Sequence, residues 1–391
     1  MINRTEVQHA ASRVRSELAR LLDDPGSRAA FSGRVKRRLK RDWLARSRSR
    51  SSTRDFPEVS LPLGPINRPQ LRVAVILDQF SATAFFYEWD QDPVPRQGWQ
   101  EHVEKNPPDV LFVESAWAGN DRAWRLTMTG TDGPASDLVD LVRWCQQRDI
   151  PTVFWNKEDP PNYDVFKATA ALFDYVFTVD ADRIPAYQAD LGHDRIFLLP
   201  FAAQPRIHNP IRRPTTTMRR VAFAGTYFAQ KHPGRRAQMD ILLPAAGPLG
   251  LDIFSRMQGK DKRYQFPSPY DRSVIGSLTY QQMLGAATAY RVFLNVNSVT
   301  ASPSMCSRRL FELSAAQTAV LSTPAAAIEP YFDDTITVAR DTAGAETALK
   351  LLLDQDEYRD RLALRAHRHV FDKHLYTHRV QEVLQTVGLS R

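Results

Sequence analysis

From residue 71 onward the chain is built of short apolar runs separated by stretches with helical periodicity. LRVAVIL (71–77), DVLFVES (109–115), IPTVFW (150–155), DYVFTVD (174–180) and DRIFLLP (194–200) read as strands, with a helix predicted from Ser136 to Gln147. Strands alternating with helices predict a parallel, doubly wound sheet. After the proline-rich QPRIHNPIRRP (204–214) a second series begins: RRVAFAG (219–225), LDIFSR (251–256), RVFLNVN (291–297) and TAVLST (318–323). The chain then closes in helices containing ALKLLLDQ and HRVQEVLQTVG. The pattern predicts two Rossmann-like α/β domains, residues 67–205 and 206–370, with a terminal helix over 371–391 packing back toward the first.

Residues 1–66 follow a different pattern. Thr5-Glu6-Val7-Gln8 is a capping box, and Val7, Ala10, Ala11, Val14, Leu18 and Leu21 repeat at helical spacing until Pro25-Gly26. A second helical stretch from Ser27 carries Phe31, Val35, Leu39 and Trp43 among many Lys and Arg, and the polar run ARSRSRSSTR after it reads as a flexible link. Residues 1–60 hold 15 Lys and Arg against 7 Asp and Glu, which leaves 37 of each sign beyond position 60. The net charge of +8 therefore belongs to the extension, and the body is neutral. Residues 1–50 read equally as a basic amphipathic patch drawn to anionic lipid or as a helical hairpin packed on the body. Nucleic acid is disfavoured, since Arg/Ser repeats carry no base-reading chemistry.

With 391 residues, 43% of them hydrophobic, the chain is long enough for two cores. Its two cysteines, Cys145 and Cys306, exclude a disulfide framework and a cysteine-rich zinc site, which points to the reducing cytoplasm. The start lacks an apolar signal region, and no run of about 18 uncharged apolar residues is present to span a bilayer. The expected location is cytoplasmic, with peripheral contact at the inner face of the membrane if the extension binds lipid.

In open α/β sheets ligands bind at the carboxyl ends of strands, so the loops there carry most weight. VAFAG-Thr226-Tyr227 ends a strand on Gly225 and leads through Lys231, His232, Arg235 and Arg236 into a helix that begins near Pro233-Gly234. Glycine admits a phosphate to backbone amides, a helix start favours negative charge, and arginines pair with a diphosphate; the alternative is a surface turn with solvated arginines. A second candidate helix carries Arg309 and Glu312, three residues apart and so on one face. They form either a structural ion pair or a site in which Arg309 neutralises a leaving diphosphate while Glu312 accepts hydrogen bonds from ribose hydroxyls. Asn156-Lys157-Glu158-Asp159-Pro160 follows the strand IPTVFW and supplies candidate bases, Glu158 and Asp159, with Asp78 and Glu114 behind them; capping a helix is the bland role for Asp159. Asp90-x-Asp92 and Asp180-x-Asp182 match a metal-binding pattern that arises by chance at this Asp frequency, and Asp180 reads better as a helix cap. His367, His369, His374 and His378 lack the cysteine or carboxylates that would complete a zinc site.

The chain resembles the CgeB-like glycosyltransferases, of the GT-B "group 1" kind. The resemblance rests on Arg309-Leu310-Phe311-Glu312-Leu313, on His374-Leu375-Tyr376-Thr377-His378-Arg379, and on FVESAW (112–117) and FWNKEDP (154–160), in that order over about residues 70–385. It implies two Rossmann-like domains facing a cleft and transfer of a sugar from a nucleotide-diphosphate donor to a glycan, glycolipid or other hydroxyl acceptor. It places the donor against Gly225, Thr226, Arg235, Arg236, Asn297, Arg309 and Glu312, with no metal or other cofactor required. Glu312 matches the second position of the Glu-x7-Glu pair found in many retaining enzymes of this fold, but Ser304 stands at the first. A sugar-nucleotide epimerase of the same fold and a non-catalytic protein acting through the basic extension are the rival readings.

Overall fold

The computed structural model describes residues 56–130, 133–211 and 218–389. The two helices expected from Thr5 and Ser27, and the polar link after them, lie outside the described residues.

The N-terminal domain runs β1 (Arg68–Ile76), α1 (Gln79–Phe85), β2 (Trp89–Pro93), α2 (Trp99–Lys105), β3 (Val110–Glu114), α3 (Ser136–Gln146), β4 (Thr152–Asn156), α4 (Tyr163–Ala170), β5 (Tyr175–Thr178), α5 (Ile184–Leu191) and β6 (Ile196–Leu198). Its sheet is parallel, in the order β2-β1-β3-β4-β5-β6. The C-terminal domain runs β7 (Arg219–Gly225), α6 (Pro233–Ala246), β8 (Leu251–Ser255), β9 (Val274–Gly276), α7 (Tyr280–Ala287), β10 (Tyr290–Asn295), α8 (Arg308–Ala315), β11 (Ala319–Ser322), α9 (Ile328–Phe332), β12 (Thr337–Val338), α10 (Thr342–Asp354) and α11 (Asp356–Lys373). Its sheet, also parallel, is ordered β12-β11-β10-β7-β8-β9. The last helix, α12 (Tyr376–Thr386), leaves the C-terminal domain and packs on the first. This is the two-domain GT-B architecture expected from the sequence.

The strong runs became strands because each is buried along most of its length. Val73–Ile76 and Leu111–Val113 are fully covered, as a sheet flanked by helices on both faces requires. Three strands were not expected, and each lies at or beside a sheet edge. β2 (WDQDP) is polar because an edge strand meets solvent on one side. This disposes of Asp90-x-Asp92 as a metal pattern: Asp90 pairs with Arg72 at 3.3 Å and Asp92 with His102 at 2.7 Å. Asp180-x-Asp182 is a cap, as expected, with the Asp182 N–H donating to the Asp180 carboxylate.

Each sheet reverses its winding once, between β1 and β3 in the first domain and between β7 and β10 in the second. These two crevices are where the fold can receive ligands.

Three segments cross between the domains. Residues 56–66 start on the C-terminal domain, where Phe56 packs edge-on to Phe254 and parallel to Tyr290, the Glu58 carboxylate accepts from the Thr279 hydroxyl, and the Val59 N–H donates to Gln281 O. The part of the expected extension and linker nearest β1 is thus a packed strap. The return crossing passes through Gln204 and His208, and the third is the junction of α11 and α12. There Ala203 N–H donates to His374 O, Tyr376 N–H donates to Ala203 O, and the buried Arg379 donates to the carbonyls of Pro200 and Phe201. His378 Nδ1 accepts the Leu375 N–H. The terminal His-Leu-Tyr-Thr-His-Arg motif is therefore a clasp between domains. One apolar cluster, from Val73 and Trp155 through Tyr376 to Phe293 and Phe311, runs through both domains.

Among the described residues no helix is long and apolar enough to cross a membrane. Deleting a buried aromatic side chain costs about 3–5 kcal/mol, so Phe56→Ala is expected to lower stability by about 3 kcal/mol in urea unfolding; a change too small to measure would remove the strap from the fold.

Candidate active site

The C-terminal crevice lies between the ends of β7 and β10. β7 ends on Gly225, where a Cβ would sit 2.9 Å from the Phe223 ring, so glycine alone leaves this strand end open. Three guanidinium groups gather there. Arg235, in the first turn of α6, donates to the Ser298 hydroxyl at 2.8 Å, just beyond β10, and its Nε has no partner. Arg309, in the first turn of α8, donates to Ala224 O at 2.6 Å. Arg256, the residue after β8, is tied by its backbone N–H to Gly225 O. Burial, reinforced by Arg308, Arg235 and Arg256, pulls the Arg309 pKa down to about 10 against the pull of Glu312. Burial and Arg256 lower Arg235 as well.

Among the described residues none of these three arginines has a carboxylate within ion-pair distance. Beside them the hydroxyls of Thr226 and Ser255 are buried without a partner. Arg256 is exposed, but the half-buried charges of Arg235 and Arg309 and the unsatisfied hydroxyls beside them are unfavourable until a ligand supplies the missing groups. A diphosphate carries the right charge, and its oxygens can take several guanidinium hydrogen bonds.

Two expected donor contacts do not join this cluster. Arg236 spends its guanidinium on Phe228 O and Lys231 O, bracing the loop before α6. Asn297 is buried with its side chain fully engaged: it donates to the Ser322 hydroxyl and Thr323 O and accepts from Asn295 and the Ser307 N–H. It locks the ends of β10 and β11 to the start of α8 and so positions Arg309 indirectly.

Glu312 is also partnered differently from expectation. Its carboxylate meets Arg308 at 2.7 Å, one helical turn back, and Arg309 is left free for the crevice. Behind Glu312 stand Tyr280, whose hydroxyl lies 3.5 Å away, and His208 of the interdomain crossing, 2.9 Å from that hydroxyl. Gln204 N–H donates to His208 Nδ1. Burial holds the ring neutral, with its pKa pulled down to about 4, so its proton sits on Nε2, facing Tyr280. A hydrogen-bond chain thus leads from the crossing segment to Glu312.

Ser304, at the position eight before Glu312, is an interdomain latch. Its hydroxyl donates to Val179 O at 3.0 Å and accepts the Ala181 N–H at 2.7 Å, while Ser302 donates to the buried Asp180 carboxylate at 2.5 Å.

In the N-terminal domain the ends of β1, β3 and β4 meet in a buried ion triad. Lys157 Nζ lies 2.9 Å from both Asp78 and Glu114. Burial alone would push the Asp78 carboxyl up, but Lys157 and the N–H groups of Gly119 and Ala118 outweigh it and hold it below its ordinary value. Four donors in all bind Asp78, including Trp117 N–H, so it is a loop anchor and not a free base. Glu114 is fully buried and pushed up by that burial. Asp159 is sealed in as well: Asn156, Thr178 and Tyr187 donate to it, the Thr178 hydroxyl at 2.6 Å, and burial raises its pKa to about 7. It faces its own domain's interior, which removes it from the candidate bases. Glu158 is half-buried, its carboxylate accepting from Asn162 at 3.2 Å.

The ring of Phe80 connects the two sets of charges. Lys157 Nζ lies 4.2 Å from its centroid and the Arg308 guanidinium 3.8 Å. Lys157, Arg308, Arg256, Phe80, His208 and Tyr280 escaped the sequence reading. Lys157 lies in the loop after the expected strand IPTVFW, Arg308 beside Arg309 and Arg256 at the end of an expected strand, so these three had a positional signal, whereas Phe80, His208 and Tyr280 were not singled out by any motif. Of the histidines of the C-terminal region, His369 and His374 lie with ring centroids 5.6 Å apart while His367 Nδ1 bonds Ala315 O, and among the described residues no three His, Cys, Asp or Glu side chains are placed to hold a metal.

A family described as "Glycosyl transferase-like" matches residues 244–385, most of the C-terminal domain with α12. No curated protein is matched by the sequence. Among solved structures the chain is similar to sucrose-phosphate synthase from Thermosynechococcus elongatus, at 12% identity and a TM-score of 0.47 over 74% of this chain and 75% of that one. It is similar to a glycosyltransferase from Rickettsia africae at 9% identity and a TM-score of 0.48, over 81% and 97%. A further similar structure is HepE from Anabaena in complex with UDP, at 9% identity and a TM-score of 0.47, over 81% and 91%.

Asp159 gives a pH prediction with a definite sign. Its folded pKa of about 7 stands above the ordinary 3.8, so the folded state holds this proton more tightly, and stability falls as pH rises from about 4 to about 7. In urea unfolding across that window, Asp159→Asn is expected to flatten the fall; an unchanged slope would assign it to other groups.

Proposed function

We propose that this chain is a glycosyltransferase that moves a sugar from a nucleotide-diphosphate donor to a hydroxyl of a glycan or glycolipid. The observation that carries this reading is the uncompensated cluster of Arg235, Arg256 and Arg309 around Gly225, at the crevice of the C-terminal sheet. The match of residues 244–385 to the glycosyl transferase-like family supports it. The arginines would hold the diphosphate and neutralise the charge that grows on it as its bond to the anomeric carbon breaks, a role that needs no metal ion. Thr226 would bond a phosphate oxygen. Glu312, steadied by Arg308, Tyr280 and His208, would accept from the ribose hydroxyls.

The acceptor would approach from the N-terminal domain. With Asp78 saturated by donors and Asp159 sealed, the acceptor proton passes either to Glu158 or to a donor phosphate oxygen. The narrow, clasped interface would exclude the water that hydrolyses the donor. The same donor site would also serve an epimerase, which product analysis separates. The proposed setting is the cytoplasm, with the basic extension touching anionic lipid at the inner face of the membrane.

Calorimetric titration with UDP, GDP, CDP and TDP tests the donor site. One nucleotide is expected to bind in the micromolar range, and Arg256→Ala to weaken it at least tenfold, or about 1.4 kcal/mol. Because Arg256 is uncompensated, the same substitution is expected to leave the melting temperature unchanged or higher. Failure of all four nucleotides to bind would transfer the function to the basic extension.

A further inference from the structure

The N-terminal sheet has its own reversal of winding, between β1 and β3, and the loops leaving those strands flank a crevice of the kind that receives ligands. The floor of that crevice is closed by the triad of Asp78, Lys157 and Glu114. At its mouth stands Trp117, three residues past the end of β3, with its side chain 40% exposed. The other tryptophans among the described residues are buried.

The loop that carries Trp117 is held in an unfavourable conformation. Gly119, Asn120, Asp121, Arg122 and Leu126 all have positive φ, and four of these five are not glycine. Such residues are strained and persist only where their surroundings over-determine them. Here they do. The Asp78 carboxylate accepts the N–H groups of Trp117, Ala118 and Gly119 at 3.0–3.3 Å. Asn120 accepts from Leu77 N–H and donates to Val75 O and Val94 O, and the Trp124 indole donates to Val94 O. Phe166 supports the Trp117 indole in a T-shaped contact, with ring centroids 5.2 Å apart.

The result is a large aromatic surface kept open to solvent at a fixed place. A chain of contacts leads from that place toward the donor crevice. Asp78, which holds the Trp117 backbone, is paired with Lys157, Lys157 lies over Phe80, and Phe80 carries Arg308, the neighbour of Arg309.

We infer that Trp117 is a stacking platform for a pyranose ring of the acceptor, an inference that rests on the transferase reading of the cleft. The C–H face of a pyranose is apolar and flat enough to lie on an indole, while its hydroxyls project sideways to polar partners. Asp121 and Arg122, both exposed, follow Trp117 in the loop and offer polar partners to such hydroxyls, while the other exposed apolar side chains nearby are the separate Leu126 of the same loop and Val165 of α4. A lipid chain would call for a contiguous apolar patch instead.

The test is titration of the full chain with neutral tetrasaccharides (cellotetraose, maltotetraose and tetra-N-acetylchitotetraose) and, separately, with dodecyl maltoside, each with and without the four nucleotides. At least one tetrasaccharide is expected to bind, Trp117→Ala to weaken it tenfold or more, and Trp117→Phe to retain most of the affinity. Nucleotide affinity should be the same in all three proteins, and an unchanged urea midpoint would show that both variants fold. Tetrasaccharide binding that survives Trp117→Ala, no tetrasaccharide binding at all, or binding of the alkyl glycoside alone would overturn the platform. Loss of the nucleotide arm with an intact glycan arm would overturn the donor site and leave the platform standing.

Discussion

The placing of one domain against the other depends on a single aromatic ring that contacts a buried lysine of the first domain and a half-buried arginine of the second. Phe80 has the Lys157 ammonium 4.2 Å and the Arg308 guanidinium 3.8 Å from its ring centroid. A cation over an aromatic face is worth about 0.5–2 kcal/mol, and more as water is excluded. Neither cation could give up its water on that basis alone, because desolvating an ion costs several kcal/mol. Each therefore has its own carboxylates: Asp78 and Glu114 for Lys157, Glu312 for Arg308. Burial would draw both cations below their usual pKa values, but the carboxylates outweigh it and hold them above. Sliding one domain past the other would strip Phe80 of a cation and leave that cation's partners mismatched, so this contact fixes register as well as adhesion.

The remaining interdomain contacts are arranged around this fixed point. The strap at Phe56, the crossing at His208 and the clasp at Arg379 join the domains covalently at three places, and the Ser302 and Ser304 latch closes a fourth by hydrogen bonds. The latch loop leads directly into α8, the helix of Arg308, Arg309 and Glu312. A shift between the domains is therefore transmitted to the proposed donor crevice through a few residues of chain. His208 acts at the other side of the same helix, through Tyr280 to Glu312.

Charge compensation separates structural cations from those with work still to do. Lys157 and Arg379 are buried and Arg308 half-buried, and each is satisfied by carboxylates or carbonyls. Arg235, Arg256 and Arg309 converge with no anion among the described residues, beside hydroxyls that lack partners. The body beyond residue 60 is neutral overall, so this positive spot is made by placement and not by composition.

The alternation of apolar runs and helices determined the two α/β domains, because a parallel sheet must be buried on both faces and its strands must therefore be apolar. Edge strands such as β2 escaped notice, since their burial is one-sided and their polar residues look like loop. Gly225, Arg235 and Arg309 were legible as crevice residues because they follow strand ends or open helices, positions defined along the chain. Side-chain partners were not legible. Arg309 and Glu312 share a helical face, yet Glu312 turned to Arg308 because the domain boundary buries that pair, and Asp159 turned inward to Thr178 and Tyr187. Asp78 and Lys157 are 79 residues apart and meet only because β1 and β4 end in the same layer. Local periodicity is written in each segment by itself, whereas desolvation and pairing are settled by which segments tertiary packing brings together.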